Sequence, residues 1–203
     1  MIEKIHTHLQ NLLDIKQALL AEQSTLARIA RLAEMCLASL CCGGKVIFAG
    51  NGGSFADAQH LSAEFVSRFR FDRPPLASLA LGTNNLAISA IANDYGYEHV
   101  FSRELAAVAR LGDTFIPLST SGNRENILNA VIASRRLGIA TIALTGTAGG
   151  KLYPECECIR VPSDDTARIQ EVHITVGHVV CTLVKEAYFN SAREIPLMSL
   201  LYK

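Results

Sequence analysis

His60, Glu64 and Arg68 are spaced four apart in the stretch from Ala56 to Phe69, which has helical composition without Gly or Pro, so on a helix they form a stripe along one face. A histidine four residues from a glutamate can share one metal ion, work as an acid–base pair, or make an ordinary surface hydrogen bond. Far along the chain, Gln170 and His178 are eight apart with Ile174 between them, which puts them on one side of a second helix over two turns, with His173 off that line. Such residues on an apolar helix are often no more than satisfied hydrogen-bonding groups. If the two helices meet, His60, Glu64, Gln170 and His178 supply a tetrahedral zinc shell of mixed nitrogen and oxygen ligands. Spacing leaves open whether they do.

Two loops carry a second kind of chemistry. Gly50-Asn51-Gly52-Gly53-Ser54 offers backbone N–H groups, a hydroxyl and the positive end of the helix that follows, a combination that suits an anion. Ser119-Thr120-Ser121-Gly122-Asn123 offers three hydroxyls in the same situation. Each loop alone can be read as good turn and cap chemistry; two in one sheet suggest a phosphorylated ligand. Neither has the GxxxxGK[ST] or GxGxxG pattern, so no nucleotide is expected.

The elements that must position these groups follow from hydrophobic period. Apolar residues recur at helical spacing from Ile5 to Leu20 and from Leu26 to Leu40. Short β-rich runs then alternate with helical stretches: Lys45 to Ala49, Leu76 to Leu81, Thr114 to Ser119, Ala140 to Leu144 and Cys158 to Val161 as strands. Helices are expected from about Asn85, from Arg124 to Leu137, and from Thr166 to Ala187. The alternation predicts an α/β fold with a five-stranded parallel sheet covered by helices on both faces, preceded by N-terminal helices. Ligands in such a sheet bind beyond the carboxyl ends of the strands. Pro117 lies inside the third strand, where a bulge or distorted pairing is expected.

Composition narrows the class. The 203 residues fit one domain, and 19 Lys+Arg against 19 Asp+Glu leave no basic excess to hold a nucleic acid. No apolar run is long enough to span a membrane, and the N-terminus lacks the order of a secretory signal, so a cytoplasmic protein is expected. Six cysteines at 36, 41, 42, 156, 158 and 181 read as reduced thiols. The C-x-C pair at Cys156 and Cys158 could bind metal, although two positions on one face of a strand is the plainer reading.

The Gly50–Ser54 loop, followed by Ala58-Gln59-His60 and Glu64, resembles the bacterial phosphoheptose isomerases of the sugar isomerase (SIS) fold. The likeness continues through Ile91-Ala92-Asn93-Asp94-Tyr95-Gly96, Phe101-Ser102-Arg103, Ser119 to Asn123, and Val161 to Glu171, and covers roughly residues 25 to 189. It implies one SIS domain over 1–203, with 1–42 as helices used in oligomer packing, 43–189 as the core, and an apolar tail at 190–203 packed on the body or on another subunit. It implies that Glu64 and His178 transfer protons and that His60, Glu64, Gln170 and His178 hold one zinc per subunit. Sugar-phosphate contacts are implied for Asn51, Gly52, Gly53, Ser54, Arg68, Asn93, Asp94, Ser119, Thr120, Ser121 and Gln170, in a homotetramer with active sites at subunit interfaces.

The implied reaction takes sedoheptulose 7-phosphate to D-glycero-D-manno-heptose 7-phosphate, the entry to heptose for lipopolysaccharide or other surface glycans. Moving a ketose carbonyl from C2 to C1 needs a base for a carbon-bound proton, an acid for oxygen, and stabilisation of the enediol. Glu64 fits the base and His178 the acid. Two departures from the family pattern stand out. Arg124 replaces a usual second serine and is a candidate phosphate contact of its own, and Gly82-Thr83-Asn84-Asn85 occupies a loop that usually reads Thr-Thr-Asp-Thr. Alternatives are an isomerase of another phosphosugar, or a non-catalytic relative similar to the factor that associates with the replication initiator DnaA; those relatives lack the glutamate and final histidine kept here.

Overall fold

A computed structural model describes residues 1–193, with side chains through Asn190. Strands β1 (Val46–Gly50), β2 (Ser78–Ala80), β3 (Thr114–Ser119), β4 (Ala140–Thr145) and β5 (Glu157–Arg160) pair in parallel in the order β2-β1-β3-β4-β5. The alternation of strand and helix therefore produces the expected three-layer fold. The expected tail falls beyond Asn190 and lies outside the described side chains.

Pleating splits the sheet's side chains between two cores. Val46, Phe48, Ile116, Leu118, Ile142, Leu144 and Ile159 face one side, where they meet α2 (Gln23–Cys41), α3 (Gly53–Val66) and α7 (Thr166–Arg193). Ile47, Ala49, Phe115, Ala143 and Cys158 face the other, against α5 (Val100–Val108) and α6 (Glu125–Arg136), with α4 (Asn85–Tyr95) at its margin. Leu61 and Phe65 of α3 are fully buried, each contributing roughly 2 kcal/mol of transfer free energy. Because β1 is followed by a helix on one face and β3 by a helix on the other, a crevice opens beyond the carboxyl ends of these two adjacent strands.

α3 and α7 run in the same direction and touch closely. A methyl on Gly177 would collide with the Leu61 side chain, so the bare glycine is what lets the helices approach. Asp165 caps α7, its carboxylate accepting from the Ala167 N–H at 2.8 Å.

Some expectations need correction. α3 starts at Gly53 and ends at Val66, because Ser67 turns extended (φ −98°, ψ −179°); Arg68 therefore leaves the stripe it was expected to share with His60 and Glu64. The helical stretch after Asn85 is broken at Gly96 (φ 93°), giving α4, a 3-10 turn at Tyr97–His99 and a separate α5. Pro117 gives the distorted pairing and not the bulge: β3 keeps one register against β1 through Ala49↔Pro117, while its pairing with β4 lapses between Phe115↔Thr141 and Leu118↔Leu144. Cys156 precedes β5 rather than sharing a strand face with Cys158.

α1 (Ile2–Ala21) lies largely outside this body. Leu12, Ile15 and Leu19 pack on the core, while Ile2, Ile5, Leu9, Leu13 and Leu20 are exposed.

Candidate active site

The crevice holds a cavity of about 610 Å³ whose walls include Asn51, Gly52, Ser54, Ser119, Thr120, Arg124, Asn126, Thr166 and Gln170. Both glycine- and serine-rich loops thus reach one space, as their positions after β1 and β3 require. Gly52 adopts φ 56°, a backbone region closed to most side chains, and turns the chain directly into α3. First-turn N–H groups of α3, which lack intrahelical acceptors, open toward this space. Ser119 is 4% exposed and its hydroxyl has no protein partner, so a polar atom at the cavity wall is left for a ligand. Arg124, the residue before α6, lines the same wall. Ser121 lines a smaller neighbouring cavity of about 200 Å³ with Thr120, Thr147 and Thr166; its hydroxyl accepts from the Asn123 N–H at 3.2 Å.

Along the α3–α7 seam, His60, Glu64 and His178 come together, their ligand atoms all within 4.8 Å of one another. His60 Nε2 is 3.0 Å from His178 Nε2 and 3.3 Å from Glu64 Oε1. Ligand atoms about 2.0–2.1 Å from a tetrahedral zinc stand roughly 3.3 Å apart, so these three donors fit that ion. Gln170 lies at the other end of the seam: its amide is packed against Gly53, where an added methyl would come within 2.6 Å of Nε2. Eight residues of α7 put it roughly 12 Å along the helix axis from His178, at the cavity rather than in the histidine–glutamate cluster.

The cluster is held from behind. Phe69 stacks on His178 with ring centroids 5.5 Å apart, and Lys185 Nζ lies 3.8 Å from the centre of the Phe69 ring. The Glu64 carbonyl accepts from Lys185 Nζ at 3.0 Å and from Arg73 at 2.6 Å, which ties the last turn of α3 to α7. Lys185 is 1% exposed, and its burial brings the ammonium down to about 8. Burial, helped by the charge of His60, also holds His178 below the ordinary imidazole value. The ring is therefore neutral near pH 7, suited to polarise or protonate an oxygen as a weak acid.

Asn93 and Asp94, at the end of α4, are exposed and bond to each other at 2.8 Å outside the cavity, and Arg68 is exposed beyond α3. Within one chain the structure does not bring these three to the cavity.

A model of the SIS domain family matches residues 8–146. A phosphoheptose isomerase of Aneurinibacillus thermoaerophilus is 50% identical over 192 residues, 94% of this chain and 97% of that protein. The chain belongs to the phosphoheptose isomerases of the SIS family. Solved phosphoheptose isomerases from Francisella tularensis (34% identical, TM-score 0.85) and Neisseria gonorrhoeae (39% identical, TM-score 0.83) each cover 91% of this chain, and 98% of each of those chains is matched.

In this isomerase, three groups at the site escaped the sequence reading. Asn126, 4% exposed, exchanges two hydrogen bonds with Asn51; Tyr97 donates to the same Asn51 oxygen. Asp57 sits on α3 between Gly53 and His60 with one buried oxygen unpartnered, and burial raises its carboxyl against the opposing pull of His60. Its helical spacing from Gly53 and Glu64 was the available signal. Nothing local in the sequence marks the Asn51–Asn126 pair, whose partners are 75 residues apart.

Proposed function

We propose that this isomerase converts sedoheptulose 7-phosphate to D-glycero-D-manno-heptose 7-phosphate through an enediol, and that Glu64 and His178 move the protons. The observation that carries the reading is the meeting of Glu64, His60 and His178 on the seam that runs from the anion-suited cavity. An extended seven-carbon chain with a terminal phosphate spans roughly 10 Å at ordinary carbon–carbon bond lengths. That length is comparable with the two helical turns between the Gly53 end of α3 and His60.

In this account the phosphate sits at the loops after β1 and β3. Backbone N–H groups of Gly53 and Ser54, the Ser119 and Thr120 hydroxyls and the Arg124 guanidinium hold it there. Ser121 supports the loop from the adjoining cavity, and Gln170 orients the sugar between phosphate and carbonyl. The Glu64 carboxylate removes a proton from C1 and, after exchange with solvent, delivers one to C2. Neutral His178 gives a proton to the carbonyl oxygen at C2 as the enediol forms, and it takes one from the C1 hydroxyl as that carbon becomes the aldehyde. Phe69 and Lys185 keep the imidazole ring and the end of α3 fixed while this happens.

His60, Glu64 and His178 would hold a zinc ion; Gln170, whose amide rests on Gly53 roughly 12 Å along α7 from His178, does not join them within one chain, contrary to the expected four-residue shell. When bound, that ion supplies Lewis-acid stabilisation of the substrate oxygens. The exposed apolar stripe of α1 (Ile2, Ile5, Leu9, Leu13) supports a homotetrameric assembly. In that assembly Arg68, Asn93 and Asp94 serve a site shared between subunits. No helix among the described residues is long and apolar enough to cross a membrane; the proposed setting is the cytoplasm, with the product feeding surface-glycan synthesis.

Incubating the pure protein with zinc and a panel of ketose phosphates, and following aldose formation by NMR, tests the reading. Sedoheptulose 7-phosphate is expected to be the preferred substrate. No turnover of any heptose or hexose phosphate overturns the enzymatic reading, and preference for another sugar overturns the substrate.

A further inference from the structure

We infer that Asn126 is a positioning residue that fixes the amide of Asn51 with an N–H directed to the ligand, so that Asn51 recognises an acceptor oxygen of the phosphosugar. This rests on the proposed reaction at the same cavity.

The argument is a count of hydrogen-bond valences. Asn51 Nδ2 donates to Asn126 Oδ1 at 2.9 Å, and Asn126 Nδ2 donates back to Asn51 Oδ1 at 2.9 Å. Tyr97 Oη donates to that same Asn51 oxygen at 3.3 Å. Both lone pairs of Asn51 Oδ1 are thereby used, while only one of its two N–H groups is. What Asn51 has left for the cavity that it and Asn126 both line is a donor. Turning the Asn51 amide over alone would face its NH₂ group toward the NH₂ of Asn126 and its oxygen toward the Asn126 oxygen, breaking both reciprocal bonds. Asn126 is 4% exposed and has little water to turn to.

Topology explains why the pair is there. Asn51 follows β1 and leads to the helix on one face of the sheet; Asn126 lies in the first turn of α6 on the other. The reciprocal amides bridge the crevice where the two helices diverge, and Asn129 Nδ2, donating to the Glu98 carbonyl at 3.0 Å, anchors the turn that carries Tyr97 to the same helix.

Steady-state kinetics with sedoheptulose 7-phosphate on the full chain, comparing wild type, Asn51→Ala, Asn126→Ala and the double variant, test the inference. Asn126→Ala is expected to raise KM about tenfold, the scale of one well-placed uncharged hydrogen bond, with kcat changed by less than about threefold. The double variant should be no worse than Asn51→Ala alone, because Asn126 acts through Asn51. An unchanged KM in Asn126→Ala, or effects that multiply in the double variant, would overturn it. Should Asn126→Ala fail to fold, Asn126→Ser takes its place: its shorter hydroxyl keeps a polar group there but cannot make the reciprocal pair of amide bonds with Asn51. A raised KM supports the inference and an unchanged one overturns it. An inactive wild type contradicts the proposed reaction instead, and the wild-type control separates the two failures.

Discussion

The Nε2 atoms of His60 and His178 stand 3.0 Å apart, each presented by a different helix. At that distance one ring nitrogen can donate to the other, or both can face one metal ion, with Glu64 Oε1 at 3.3 Å from His60 as a third ligand atom. One residue added or removed between Gly53 and His60 would rotate His60 off the seam by about 100° and dissolve the arrangement.

Zinc binding is one consequence. At a hundredfold excess over its dissociation constant, zinc should stabilise the fold by about 2.7 kcal/mol and raise Tm by roughly 5–10 °C for a domain of this size. Thermal unfolding with and without zinc, together with metal analysis by mass spectrometry, measures this. His60→Ala should abolish the shift; an equal shift in that variant would place the metal elsewhere.

Gly53→Ala isolates the role of Gln170. The added methyl would meet the Gln170 amide at 2.6 Å, and that amide is the movable end of a long side chain. Stability should therefore change by less than about 1 kcal/mol, while kcat/KM falls at least tenfold because the amide is displaced from the cavity wall. Unaltered kinetics would show that the Gln170 position does not matter.

His173 sets an acid limit to stability. It is 1% exposed, its Nε2 lies 3.3 Å from the Thr145 carbonyl, and burial lowers its pKa to about 4 from 6.5. The unfolded chain therefore takes up this proton first. The contribution is fully present above pH 6.5 and is lost as pH falls toward 4, a decrease on the order of 3 kcal/mol. Urea unfolding across that range should show the slope in wild type and a shallower one in His173→Gln. Equal slopes would contradict the assignment.

Arg124→Ser tests the departure from the family pattern. If the guanidinium grips phosphate, KM should rise about tenfold or more, as for loss of a charge-assisted bond, and the salt dependence of KM should weaken. An unchanged KM would remove Arg124 from the phosphate site.

The parallel sheet was legible because each strand ran apolar between turn residues and each helix carried its own period. The His60–Glu64 relation was legible for the same reason: both lie on one helix at a spacing that fixes their geometry. Arg68 was misplaced because helical composition continues past the point where Ser67 turns extended, and nothing in residue type marks that change. Helical spacing and resemblance alike joined Gln170 to the zinc shell, whereas within one chain its amide rests on Gly53. Asn126, Tyr97 and Lys185 were invisible because their roles depend on which distant segment folds against them, and local spacing does not encode that contact.

The most direct test of the central claim is NMR of the purified protein with sedoheptulose 7-phosphate in D₂O, comparing wild type with Glu64→Gln and His178→Gln. The account predicts aldose carrying solvent deuterium at C2 from wild type. It also predicts a loss of at least ~100-fold in turnover for each variant, with C1 proton exchange lost in Glu64→Gln. Near-normal turnover in either variant would contradict it.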